Sequence, residues 1–157
     1  MKNTWINNWG KELKFPEDVL YSPELLWVKI EPENKLRLGI SDLGVKAVKR
    51  LVYIRIKSRV GDQLKKGDLI GMVETSKMVW EIRVPISGVV VGVNKVHLRG
   101  NPNTLEEDPY GEGWLLQLER TSDTESELPQ LIRGDEAEGK KWIAERVEAI
   151  VPLQQAT

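Results

Sequence analysis

Between Leu26 and Leu118 the chain is a succession of short alternating runs, each closed by turn residues, and little but an antiparallel sheet can be built from that rhythm. Trp27-Val28-Lys29-Ile30-Glu31 alternates, Pro32-Glu33-Asn34 turns the chain, and Lys35-Leu36-Arg37-Leu38-Gly39-Ile40 alternates back, predicting a hairpin. Val52-Tyr53-Ile54-Arg55-Ile56 repeats the pattern, and Leu115-Leu116-Gln117-Leu118 supplies a later strand. A period of two places alternate side chains on one face of a sheet. One stretch departs from it: Ser41 to Val48 opens on a helix-start residue and has helical apolar spacing, predicting one short helix. The expected class is mainly β (α+β), an antiparallel sandwich or flattened barrel carrying a short helix.

The ends read differently. Residues 1–20 look like an N-terminal extension, in which Asn3, Trp5, Ile6 and Trp9 match one capped turn of amphipathic helix, either folded back on the core or offered to a partner. Residues 21–120 form the main domain, and residues 121–157 a C-terminal helix and tail packed on it. His97 to Asp108 and Thr121 to Pro129 read as loops. Asp135 to Glu138 has a capping-box pattern, and Trp142, Ile143, Val147, Ile150 and Val151 give an apolar stripe for a helix of about fifteen residues.

Composition excludes several functions. Lys+Arg 23 against Asp+Glu 24 leaves a net charge of -1, so no basic field attracts nucleic acid or anionic lipid. No apolar run approaches the ~20 residues of a membrane span. The first twenty residues mix charges without arginine or an apolar signal core, so the expectation is a cytoplasmic protein with neither nucleic-acid nor membrane partner. Cysteine is absent and His97 is the sole histidine, which removes thiol chemistry and the usual metal sites from the polypeptide. His97 reads as a surface loop residue. Trp27, Trp80, Trp114 and Trp142 read as core anchors, with Trp80 near enough to the Lys77 tip to touch a group bound there. Lys49, Arg50, Lys95 and Arg99 read as solvated charges. With no acid/base or nucleophile constellation visible, the chain is not expected to be an enzyme.

The chemistry concentrates at Lys77. Leu69-Ile70-Gly71-Met72-Val73-Glu74 enters a polar tip, Thr75-Ser76-Lys77, and Val79-Trp80-Glu81-Ile82-Arg83-Val84 leaves it. Both arms turn apolar residues to the core, while the tip is too short and polar to bury, so the lysine stands outside on a two-stranded mount. Gly71 is expected where backbones approach closely, and Gly88 in a turn needing positive φ. Gly67-Asp68-x-x-Gly71 upstream, Glu74 three residues before the lysine and Pro85-Ile86-Ser87-Gly88 downstream resemble the frame in which swinging-arm domains present a lysine for lipoate or biotin.

With these pieces in order the chain resembles the glycine cleavage H-protein family and its close relatives. Tyr21-Ser22-Pro23-Glu24-x-x-Trp27-Val28, Leu38-Gly39-Ile40-Ser41-Asp42, Glu74-Thr75-Ser76-Lys77, Pro85-Ile86-Ser87-Gly88 and Asp108-Pro109-Tyr110-Gly111-Glu112-Gly113-Trp114 carry the resemblance, from about Tyr21 to Val147. It implies a lipoyl/biotinyl-type hammerhead fold and a covalent cofactor carrier. Lipoate would join the Lys77 amine as an amide, and a lipoate ligase or transferase would recognise the hairpin with help from Glu74 and Gly88. No metal is implied.

The chain also departs from the family. Leu25 and Leu26 precede Trp27 where His-Glu is usual, Lys49-Arg50 replaces Gly-Asp, and Thr75-Ser76-Lys77-Met78 replaces Ser-Val-Lys-Ala. Read as changes of docking surface, these favour the branch of lipoate-binding proteins that serves a heterodisulfide-reductase-like complex in sulfur oxidation. The alternative is a glycine cleavage H protein, carrying the aminomethyl group between glycine decarboxylase and aminomethyltransferase and reoxidised by dihydrolipoamide dehydrogenase. Biotin, for which Met78 supplies one of two expected methionine neighbours, and an unmodified scaffold are lesser alternatives.

Overall fold

The structure, a computed structural model of the chain, describes residues 4–6, 12–48 and 50–155. In chain order the elements are β1 (Thr4–Ile6), β2 (Glu12–Lys14), β3 (Leu20–Tyr21), β4 (Leu26–Glu31), β5 (Lys35–Ile40), α1 (Asp42–Ala47), β6 (Leu51–Ile56), β7 (Gln63–Leu64), β8 (Leu69–Thr75), β9 (Val79–Arg83), β10 (Gly88–Val93), α2 (Asn103–Glu107), β11 (Leu116–Glu119), α3 (Ser122–Glu127), β12 (Ile132–Arg133) and α4 (Ala137–Gln155). Short 3-10 turns cover Lys95–His97 and Leu128–Gln130.

Two sheets make the sandwich. A seven-stranded sheet runs β12-β3-β4-β5-β11-β10-β7, and a three-stranded sheet runs β6-β8-β9. Among the described residues their strand pairings are antiparallel. The β4–β5 hairpin forms as the alternation predicts, and its turn takes Glu33 and Asn34 to φ 63 and 62. Positive φ is costly for most L-residues, and asparagine tolerates it best.

Alternation sorts the β4 side chains to two cores. Leu26 and Val28 join Leu36, Leu38, Leu116 and Leu118 against Ile54, Val73 and Ile82 of the smaller sheet. Trp27 faces the other way, into a second cluster with Leu13, Phe15, Tyr21, Leu43, Ile143 and Val147. The α4 stripe read from the sequence therefore reaches that second core, through Ile143 and Val147. The mainly antiparallel fold with a short helix and a C-terminal helix is the expected one.

Helix α1 starts where Ser41 directs it, since the Ser41 Oγ accepts from the Gly44 amide at 3.1 Å. Elsewhere the local reading needed correction. Residues 4–6 form a strand rather than a helical turn, pairing Thr4 with Lys14 and Trp5 with Leu13. A strand partner satisfies main-chain groups that one isolated helical turn leaves open. Trp9 lies outside the described residues.

Both segments read as loops contain helices. In α2, Leu105 is a fully buried anchor. The polar α3 is capped by Thr121 with Thr124, and it is held by partners distant in sequence. Ser87 N–H and Oγ donate to the two Glu127 carboxylate oxygens at 2.7 and 2.8 Å, and Thr124 Oγ1 donates to the Ser87 carbonyl at 2.6 Å. No apolar periodicity announces such a helix, because hydrogen bonds rather than an apolar stripe fasten it.

Candidate functional site

Lys77 sits at the tip of the β8–β9 hairpin, in the three-residue connection Ser76-Lys77-Met78. The sequence builds this mount by alternation. Val73, its cross-strand neighbour Trp80 and the β6 residue Ile54 turn toward the core, while Glu74, Val79 and Tyr53 share the outer face. Strand β9 is an edge of its sheet and the β6 pairing ends at Thr75, so no strand pairs with residues 76–78. Lys77, Glu74 and Met78 are exposed, and among the described residues the Lys77 ammonium has no hydrogen-bond or ion-pair partner. An exposed, unpartnered amine on a rigid mount suits the covalent attachment of an acyl group.

The tip is tied by Thr75. Its amide donates to the Met78 carbonyl at 2.8 Å. Its hydroxyl accepts from the amides of Lys77 and Met78 at 3.1 and 3.0 Å and donates to the Met78 carbonyl at 3.2 Å. The sequence reading passed over this residue, although a Thr entering a polar turn is a familiar signal of side-chain-to-backbone bonding.

The two glycines divide. A Cβ on Gly71 would lie 2.4 Å from the Arg55 carbonyl oxygen, which is the close approach of β6 and β8 expected there. Gly88 does not have the positive φ expected of it. It is buried at the start of β10, where a Cβ would lie 3.0 Å from the Glu119 carbonyl and 3.1 Å from Leu118. Close packing, not backbone handedness, is what calls for glycine. Of the two residues named for recognition, then, Glu74 is on the surface and Gly88 is inside.

The Asp108–Trp114 block serves the scaffold. Trp27 Nε1 donates to the Pro109 carbonyl at 3.0 Å. Tyr110 donates to the Lys14 carbonyl at 2.6 Å and accepts from the Asp42 amide at 3.0 Å, and burial pushes its ionisation well above the ordinary tyrosine range. Asp42, itself buried, accepts from the Lys14 amide and pairs with Lys46. The block thus binds β2, β4 and α1 together.

His97 is not the surface residue that its loop implied. It is 3 % exposed, its Nε2 lies 3.0 Å from the Trp114 carbonyl, and its Nδ1 is buried without a partner. A carbonyl partner requires Nε2 to carry the proton, leaving Nδ1 bare. Burial lowers the pKa below the ordinary 6.5, against the opposing pull of the backbone carbonyls. The unfolded chain therefore takes up this proton first as pH falls. The stability that neutral His97 contributes is present above pH 6.5 and is lost as pH falls through the folded-state value. Urea unfolding at pH 7.5 and 5.5 is expected to show a lower midpoint at the acid value, with a smaller difference in His97→Gln. Equal midpoints in the parent protein would contradict this.

The remaining residues fall into place plainly. Trp27 is fully buried, and Trp80, Trp114 and Trp142 are half-buried, Trp80 turning to the core beneath the hairpin. Arg50, Lys95 and Arg99 are exposed, and Lys49 lies outside the described residues. Of the family departures, Leu26 is core and so does not belong to a docking surface, while Leu25 is half-buried against the second cluster. Among the described residues there is no cluster of metal-binding side chains and no helix long and apolar enough to cross a membrane.

Comparison with known proteins supplies the context. The family model for the glycine cleavage H-protein matches residues 19–144. The glycine cleavage system H protein of Carboxydothermus hydrogenoformans is 35% identical over 123 residues, covering 78% of this chain and 91% of that protein. That of Oceanobacillus iheyensis is 36% identical over 126 residues, covering 80% and 96%. A crystal structure of a glycine cleavage system H protein from Mycobacterium marinum superposes with a TM-score of 0.61 at 33% identity, covering 68% of this chain and 87% of that one. These relatives favour the glycine cleavage alternative and lend no support to the sulfur-oxidation branch. The burial of Leu26 removes part of the surface reasoning that pointed there.

Proposed function

Because the chain belongs to the glycine cleavage H-protein family, we propose that it is a lipoyl carrier of that system, with Lys77 as the attachment residue. Members of this family carry lipoate on a lysine and have no catalytic activity of their own. The observation that carries the assignment to Lys77 is its place at the exposed hairpin tip, with its ammonium unpartnered among the described residues.

Lipoate in amide linkage supplies a redox-active disulfide at the end of a flexible arm. The chain contributes the mount. Gly71 lets β6 back β8 closely, Trp80 and Val73 root the hairpin in the core, and Glu74 offers an exposed carboxylate beside the tip for a lipoate ligase or transferase to read. Buried Gly88 acts at a distance, setting β10 against β11 and so fixing the segment that follows β9. Docking to a partner then places the arm at an effective concentration on the order of millimolar. The partners proposed are glycine decarboxylase, aminomethyltransferase and dihydrolipoamide dehydrogenase, between which the aminomethyl group and reducing equivalents travel.

Glycine–bicarbonate exchange by purified glycine decarboxylase, with the lipoylated chain as sole carrier, tests the pathway. Saturable exchange that disappears in Lys77→Arg is expected. No exchange from fully lipoylated protein would overturn the glycine cleavage assignment while leaving the carrier architecture in place.

A further inference from the structure

We propose that Thr75 is a positioning residue for modification: its hydroxyl holds the hairpin tip in the one backbone conformation from which the modifying enzyme takes Lys77. The inference rests on the lipoyl-carrier reading and adds to it a residue beyond Lys77, Glu74 and Gly88.

A hydroxyl offers one hydrogen to donate and two lone pairs to accept with. At Thr75 all three are spent on the tip, on the Met78 carbonyl and on the amides of Lys77 and Met78. The hydroxyl therefore stands in for a main-chain acceptor in closing the turn. It also reaches the amide of the modified residue itself. The support from the flanking strand ends at the same point, since Leu51 of β6 pairs with Thr75 and its register places nothing opposite residues 76–78. Besides the hydroxyl, the Thr75 amide also closes the turn, donating to the Met78 carbonyl.

A ligase must bring the Lys77 amine to an activated acyl carbon, so it binds a defined arrangement of the tip. If the hydroxyl is removed, residues 76–78 sample other conformations and only a fraction remains competent. The apparent affinity falls by that fraction, while turnover of the correctly bound complex is preserved. The effect belongs in KM rather than in kcat.

The test measures lipoylation by purified lipoate ligase supplied with lipoate and ATP, for the parent chain, Thr75→Val and Thr75→Ser. Valine keeps the β-branched shape and removes the hydroxyl. The expected result is a kcat/KM lower by roughly tenfold for Thr75→Val, carried by KM, with Thr75→Ser within about twofold of the parent. Hydrogen exchange of the Lys77 and Met78 amides, read by NMR, reports the hydroxyl bonds without any modification: exchange should quicken at both in Thr75→Val and not in Thr75→Ser. A thermal melt confirms that each variant is folded, and Thr75→Ala replaces Thr75→Val if the valine variant is not. Parental kcat/KM in Thr75→Val, or equal losses in the valine and serine variants, would overturn the inference alone. Failure of the parent chain itself to accept lipoate would overturn the carrier reading and this inference with it.

Discussion

Replacing Lys77 by arginine is expected to erase the lipoyl mass from the intact protein while leaving its stability unchanged. Attachment forms an amide between the lysine Nζ and the lipoyl carbonyl, with loss of the activating group and of two of the three ammonium protons. Only a neutral amine can attack, and an alkylammonium supplies one by losing a proton. A guanidinium, charged to beyond pH 12, supplies none. The exposed lysines Lys57, Lys65 and Lys95 lie in loops and a 3-10 turn and lack the two-stranded mount. Intact-mass measurement after expression with an active lipoate ligase is decisive. A lipoyl mass that persists in Lys77→Arg would move the attachment site, and a biotin mass on the parent chain would change the cofactor. Because the side chain is exposed and unpartnered among the described residues, the substitution should alter unfolding free energy by less than about 0.5 kcal/mol.

The largest expected loss of stability comes from Trp27→Ala. Trp27 is fully buried between β4 and α4, and its indole packs against Tyr110 with ring centroids 5.9 Å apart. Truncating a buried tryptophan to alanine costs about 3–5 kcal/mol through lost transfer free energy and the cavity left behind. The indole N–H also satisfies the buried Pro109 carbonyl at 3.0 Å, so its loss adds about 1 kcal/mol or more for an orphaned acceptor. Against a typical domain stability of roughly 5–15 kcal/mol, this removes a large share of the total. Urea unfolding should show a midpoint far below the parent. Trp27→Phe, which retains most of the packing and loses only the donor and some volume, should fall in between. A loss under about 1 kcal/mol in the alanine variant would show that the Asp108–Trp114 block is not fastened through this residue.

The candidate site was largely legible because its information is local. Period-two alternation across Leu69–Glu74 and Val79–Val84 settles which side chains turn inward, and that in turn leaves Lys77 outside. The β4–β5 hairpin and the Ser41-capped helix α1 are legible for the same reason, each being specified within a few residues of itself. The polar helix α3 was not legible, since Glu127 and Thr124 take their partners from Ser87, some forty residues earlier. The strand at Thr4–Ile6 is decided by pairing with Glu12–Lys14, which outweighs a helical spacing too short to nucleate. His97 follows from a polar loop folding over the Trp114 carbonyl, a contact across seventeen positions that no window of sequence contains.

The sequence by itself determined the strand periodicity, the exposed lysine with its flanking Gly, Glu and Pro-x-x-Gly residues, and the absence of thiols from the chain. These are properties of neighbouring residues and of composition, and they hold wherever the chain folds. Only the tertiary structure decided that Gly88 is needed for its contact with β11, that Leu26 turns inward, and that Trp27 is bound to Pro109. Each of these depends on which distant segment arrives alongside, and that is set by burying two cores at once on either side of β4.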